Sequence, residues 1–111
     1  MLLLDDNKLT DDSLEELGRC PFEELKGLSL QANQITTMGV KHLKSFTFLT
    51  HLNLNANHLG PDGPEEISKL KFKELLELYL DENKLEGSEM KYLSSMGLLT
   101  TLSLKGNSIK D

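Results

Sequence analysis

The sequence predicts an α/β solenoid, with a parallel β-sheet on its concave face and helices on its convex face. Three observations carry that prediction. The pattern Leu-x-Leu-x-x-Asn-x-Leu/Ile returns five times, its asparagines spaced 26, 24, 26 and 24 residues apart. Leucine supplies 25 of the 111 residues while valine and isoleucine together supply four, which disfavours an ordinary sandwich or barrel. After each of the first four asparagines, apolar residues recur at helical rather than strand spacing. A regular period of this length is the mark of stacked units, each too small to bury its own apolar face. The chain therefore reads as one domain over 1–111, about four and a half repeats of 24–26 residues, open at both ends.

The strands come first. Leu2-Leu3-Leu4, Leu28-Ser29-Leu30, Leu52-Asn53-Leu54, Leu78-Tyr79-Leu80 and Leu102-Ser103-Leu104 each send two leucines inward and the middle residue outward. A further leucine stands three residues upstream of four of them, at Leu25, Leu49, Leu75 and Leu99. The asparagines Asn7, Asn33, Asn57, Asn83 and Asn107 follow each strand. A primary amide both donates and accepts, so it can satisfy the backbone that turns away there; the five are expected to stack as a buried ladder.

The helices follow. Leu14 and Leu17, Val40 and Leu43, and Met90 and Leu93 lie seven and ten residues after their asparagines, one turn apart. Asp11, Asp12 and Ser13, Thr36-Thr37, and Ser88 have the chemistry of helix starts. In the third repeat Pro64 replaces the first anchor, so that helix should start near Pro61–Pro64 and lean on Ile67 and Leu70. Fifteen residues after each asparagine stand Phe22, Phe48, Phe72 and Leu98, expected to wedge between helix and next strand. Cys20 is expected to be a small buried apolar residue. The 26-residue repeats owe their length to Phe22-Glu23-Glu24-Leu25 and Phe72-Lys73-Glu74-Leu75, insertions in an outer connection.

These repeats resemble the leucine-rich repeat family, and the resemblance covers essentially the whole chain. A helix on the outer side is similar to the ribonuclease-inhibitor-like class and its shorter bacterial relatives, as is the turn Leu59-Gly60-Pro61-Asp62-Gly63. Some proteins with this repeat activate GTPases through an arginine. The one arginine here, Arg19, falls on the convex side.

Helices are wider than strands, so the stack curves and the strand side becomes a concave face. Outward positions there vary between repeats, as expected of a surface fitted to a partner. Tyr79, flanked by Glu77, Asp81 and Glu82, is an aromatic anchor among acids, the make-up of a binding hot spot. His51, Asn53, Asn55, Gln31 and Ser29 extend the patch. The expected role is a non-catalytic module binding a basic peptide or protein surface. The alternative is a substrate-recognition segment of a larger enzyme or signalling protein, such as a ubiquitin ligase, effector or GTPase regulator. A third reading is a structural spacer. Five strands about 4.8 Å apart give a face on the order of 300 Å², which suits a peptide or small domain.

Other functions find little support. With 18 acids against 12 bases the net charge is −6, unsuited to nucleic acid or a membrane surface. No cofactor or metal site is expected. His51 with Glu77 or Asp81 is the nearest approach to a metal site, and no serine or cysteine shows a histidine–carboxylate relay. One cysteine rules out an internal disulfide. No signal peptide or membrane span is visible, which points to the cytoplasm. Leu2, Leu102, Leu104 and Ile109 lack covering residues, so the chain is expected to continue into further repeats or to pair end to end.

Overall fold

The computed structural model describes residues 1–22 and 24–109. Five strands form one all-parallel sheet in sequence order: β1 (Leu2–Leu3), β2 (Gly27–Ser29), β3 (His51–Asn53), β4 (Glu77–Tyr79) and β5 (Thr101–Ser103). The register aligns the repeats residue for residue, Leu28 with Leu52, Leu52 with Leu78 and Leu78 with Leu102. Between the strands run short helices: α1 (Asp11–Gly18), α2 (Thr37–Val40), α3 (Gly63–Lys69) and α4 (Met90–Ser94). A tight turn at Lys41–Ser45 extends α2, and another at Gly87–Glu89 precedes α4. The architecture is the expected α/β solenoid, with abbreviated helices.

The strands are short because the pattern offers one Leu-x-Leu per coil, but the hydrogen bonding runs further. Leu30 N–H donates to Asn53 O (2.8 Å), Leu54 to Tyr79 O (2.9 Å) and Leu80 to Ser103 O (2.9 Å). Two residues on, Ala32, Ala56 and Glu82 donate to Asn55 O, Asp81 O and Lys105 O. At that second position every coil bends through the left-handed region: Asp6, Ala32, Ala56, Glu82 and Gly106 have φ of 57, 58, 56, 54 and 70°. Only glycine adopts this freely, so the neighbouring coils' hydrogen bonds hold the bend.

The bend delivers each asparagine inward. Asn33, Asn57 and Asn83 are buried at 4, 3 and 0% exposure. Asn33 Nδ2 donates to Leu4 O and Leu30 O, while its Oδ1 accepts from Asn7 N and Leu9 N, both at 2.9 Å. Asn107 repeats the pattern against Asn83, Leu85, Leu80 and Leu104. The expected ladder is buried in its three central rungs. Asn7 is exposed and Asn107 half-buried, because each belongs to a coil with a neighbour on one side only.

The core is the leucine column itself: Leu28, Leu30, Leu52, Leu54, Leu78 and Leu80 are sealed against Leu14, Val40, Leu43, Ile67 and Leu93. α3 begins at Gly63 with Pro64 in its first turn, as the proline demands. Two helix starts differ from expectation. Thr10 caps α1, with the Ser13 hydroxyl accepting its N–H at 3.0 Å. This leaves Asp11 to accept the Thr36 N–H and hydroxyl at the next helix start. Ser88 is exposed, and a tight turn occupies the expected cap position.

The expected wedge is displaced by two residues. Phe22, Phe48 and Leu98 are 39, 48 and 59% exposed, and only Phe72 of that column packs against the core. Phe46, 1% exposed, fills the place instead, with Leu70 and Met96 at equivalent positions. The reason is a single closing turn: Phe46, Leu70 and Met96 each donate their N–H to the anchor three residues earlier, Leu43, Ile67 and Leu93. In so tight a turn residues three apart share a face, so anchors at seven and ten continue to thirteen. Cys20 occupies that position in the first coil and is exposed, contrary to expectation, with one side of its coil uncovered.

Candidate functional site

Side chains on the concave face stand in rows across the strands. The first row is Met1, Gly27, His51, Glu77 and Thr101; the second is Leu3, Ser29, Asn53, Tyr79 and Ser103. Beyond the strands lie Asp5, Gln31, Asn55, Asp81 and Lys105, then the bend residues. The sheet thus brings Tyr79, Glu77, Asp81, Glu82, His51, Asn53, Asn55 and Gln31 onto one face.

Their chemistry is partly internal. The Asp81 Oδ1 accepts from the Ser103 hydroxyl (2.6 Å) and Lys105 N–H (2.9 Å). Asp5 does the same for the Ser29 hydroxyl (2.6 Å) and Gln31 N–H (2.9 Å). Asn55 Oδ1 accepts the Asp81 N–H at 2.7 Å, and Asn53 Nδ2 donates to Gln31 Oε1 at 3.1 Å. These side chains brace strands where the backbone ladder has opened. Ser29, 5% exposed, has its hydroxyl held by Asp5.

Glu77 is the hub of the centre. Its Oε1 accepts from the Tyr79 hydroxyl, and its Oε2 lies 2.8 Å from His51 Nε2. The other ring nitrogen, Nδ1, lies 2.8 Å from the Thr50 hydroxyl. The hydrogen bond from Tyr79, helped by the charge and hydrogen bond of His51, holds the Glu77 carboxyl below its ordinary range. The same bond, with burial, raises the Tyr79 phenol above its own. Glu77 therefore fixes Tyr79 in place, while the exposed Glu82 and the second oxygen of Asp81 face outward, with no side-chain partner among the described residues. Among the described residues no three His, Cys, Asp or Glu side chains gather to hold a metal ion. Arg19 caps the C-terminal end of α1, paired with Glu16 at 2.7 Å.

Two contributors were missed in the sequence: Met1 and Leu3, 73 and 66% exposed at the β1 end of the two strand rows. The alternation rule placed Leu3 outward; its apolar character on that face was the signal.

A five-coil parallel sheet with inward leucines and a buried asparagine ladder is a leucine-rich-repeat solenoid, a fold that suggests a protein–protein interaction module. The family model described as Leucine Rich Repeat matches residues 48–70. Among solved structures, the chain is similar to an internalin (inlF) from Listeria monocytogenes, with 28% identity and a TM-score of 0.76. That similarity covers 100% of this chain and 30% of the internalin chain, so the chain spans less than a third of that protein's length. None of the curated proteins matches.

Proposed function

We propose that the concave face binds a basic segment of another protein, without catalysis. One observation carries this reading. The four concave rows hold five carboxylates, Asp5, Asp6, Glu77, Asp81 and Glu82, against one lysine, Lys105, with Tyr79 among them. Such a field favours a lysine- or arginine-bearing partner and repels phosphate backbones and anionic lipid surfaces. Tyr79, pinned by Glu77, supplies a rigid contact, since an anchored aromatic loses little side-chain entropy on binding.

The second reading, a recognition segment within a larger enzyme or signalling protein, is favoured by the 30% share of the internalin chain that this sequence spans. In that case the same face binds, and any chemistry lies elsewhere.

The test is titration of a synthetic arginine-rich peptide into the wild-type chain and into Tyr79→Ala/Glu82→Lys. Glu82 is the better site for charge reversal than Asp81, whose carboxylate braces Ser103 and Lys105. The double variant should bind about tenfold more weakly or worse while still unfolding cooperatively, with wild-type affinity falling as salt rises. Equal binding by the two proteins refutes the reading.

A further inference from the structure

The concave face carries a notch as well as a charge. A depression of about 270 Å³ lies between Met1 and Leu3 on one side and Tyr79 and Glu77 on the other, with Ser29 and Asn53 beneath. It exists because β2 contributes Gly27 and Ser29, each smaller than its row neighbours on β1 and β3. Met1 leans over Gly27: a Cβ there would stand 2.7 Å from Met1 Cε. An unbranched thioether on one wall is adaptable in shape, and Leu3 and the Tyr79 ring add apolar surface.

We infer that this notch takes an apolar side chain of an extended segment, and that a lysine or arginine on the same segment reaches Asp81 and Glu82. This rests on the concave-face reading above and specifies its ligand. The notch lies over β2 and β3, while the free acids stand just beyond β4. At about 4.8 Å per strand and about 3.3 Å per residue, the separation is about 10–12 Å. An extended chain presents only alternate side chains to one surface, so the two anchors must be an even number of residues apart. Two positions reach the acids only through the full length of an arginine; four positions span the gap directly. The notch makes the partner an amphipathic extended segment rather than any polycation, and the acids orient it.

Three synthetic peptides of Gly and Ser separate this inference from the broader reading. One carries Leu and Arg four residues apart, one five apart, and one has Ser in place of Leu. Each is titrated into the full chain by heteronuclear NMR. The first should bind about fivefold more tightly than either other, the factor expected from burying part of one leucine side chain. Leu3→Ser should shrink its preference over the Ser peptide to less than twofold, with the melting temperature confirming the fold. If all three bind alike, and Glu82→Lys weakens them alike, the acidic-face reading stands and the notch inference falls. If none binds, or Glu82→Lys changes nothing, both fall.

Discussion

Replacing Asn57 with alanine tests the ladder at its central, buried rung. The Asn57 Nδ2 donates to Leu30 O (2.9 Å) and Leu54 O (3.1 Å), and its Oδ1 accepts the Ile35 N–H (3.0 Å). The two carbonyls survive the change. Leu30 O still receives Asn33 Nδ2 at 2.9 Å, and Leu54 O still receives Asn83 Nδ2 at 2.8 Å. The Ile35 N–H does not: it is left buried without its acceptor. An orphaned buried donor costs about 1–3 kcal/mol, and the small cavity adds about 1 kcal/mol, so the expected loss is about 2–4 kcal/mol. Asn7→Ala removes one exposed bond, to Asp5 O, and should cost less than about 0.5 kcal/mol. Urea unfolding at constant slope measures both, and amide exchange at Ile35 should accelerate in the first variant. Equal losses for the two variants, or an Ile35 amide as protected as in wild type, would show that the asparagines do not hold the coil as argued.

The displaced wedge predicts that Phe46→Ala costs about 3–5 kcal/mol, while Phe48→Ser, two residues on and 48% exposed, stays within about 0.5 kcal/mol by the same unfolding assay. The Glu77 hub predicts two pH effects of opposite sense. The folded-state carboxyl lies below its ordinary value, so its contribution is present above that value and disappears as pH falls through the lowered one. The folded-state phenol lies above its ordinary value, so its contribution is present below that value and disappears as pH rises through the raised one. Ultraviolet titration of tyrosine ionisation should find Tyr79 raised in wild type and returned to the ordinary tyrosine range in Glu77→Gln; no change between the two would contradict the bond.

The scaffold was legible because its causes are periodic. Leu-x-Leu dictates which side chains enter the core, the asparagine marks the turn, and the anchors at Leu14, Val40, Leu43 and Leu93 are buried where helical spacing puts them. Pro64 fixed its own helix start through its missing N–H. What escaped was geometry decided by closing turns and neighbouring coils. Phe48 and Phe46 are both plausible wedges by composition, and only the tight turn ending at Phe46 separates them. At the site, Glu77 and Tyr79 lay on the predicted face because strand alternation is strict, and Asp81 and Glu82 follow just beyond β4. Ser29 lies on that face too, but its hydroxyl is claimed by Asp5 in the preceding coil, a pairing that alternation alone does not encode. The notch escaped because it depends on Gly27 and Ser29 being smaller than the residues on either flank.

The left-handed bends have a consequence for how such a protein acquires new partners. Aspartate, alanine, glutamate and glycine all occupy that place in successive coils, at nearly one backbone shape. The conformation is imposed by adjoining turns, so the identity of the side chain is free to drift without unwinding the spiral. Each coil thus offers an interchangeable socket along the lip of the concave face. Gly106 is the constrained one, since a Cβ there would come within 2.8 Å of Glu82 Cγ. Substitution can change what this edge presents one coil at a time while the underlying spring keeps its pitch.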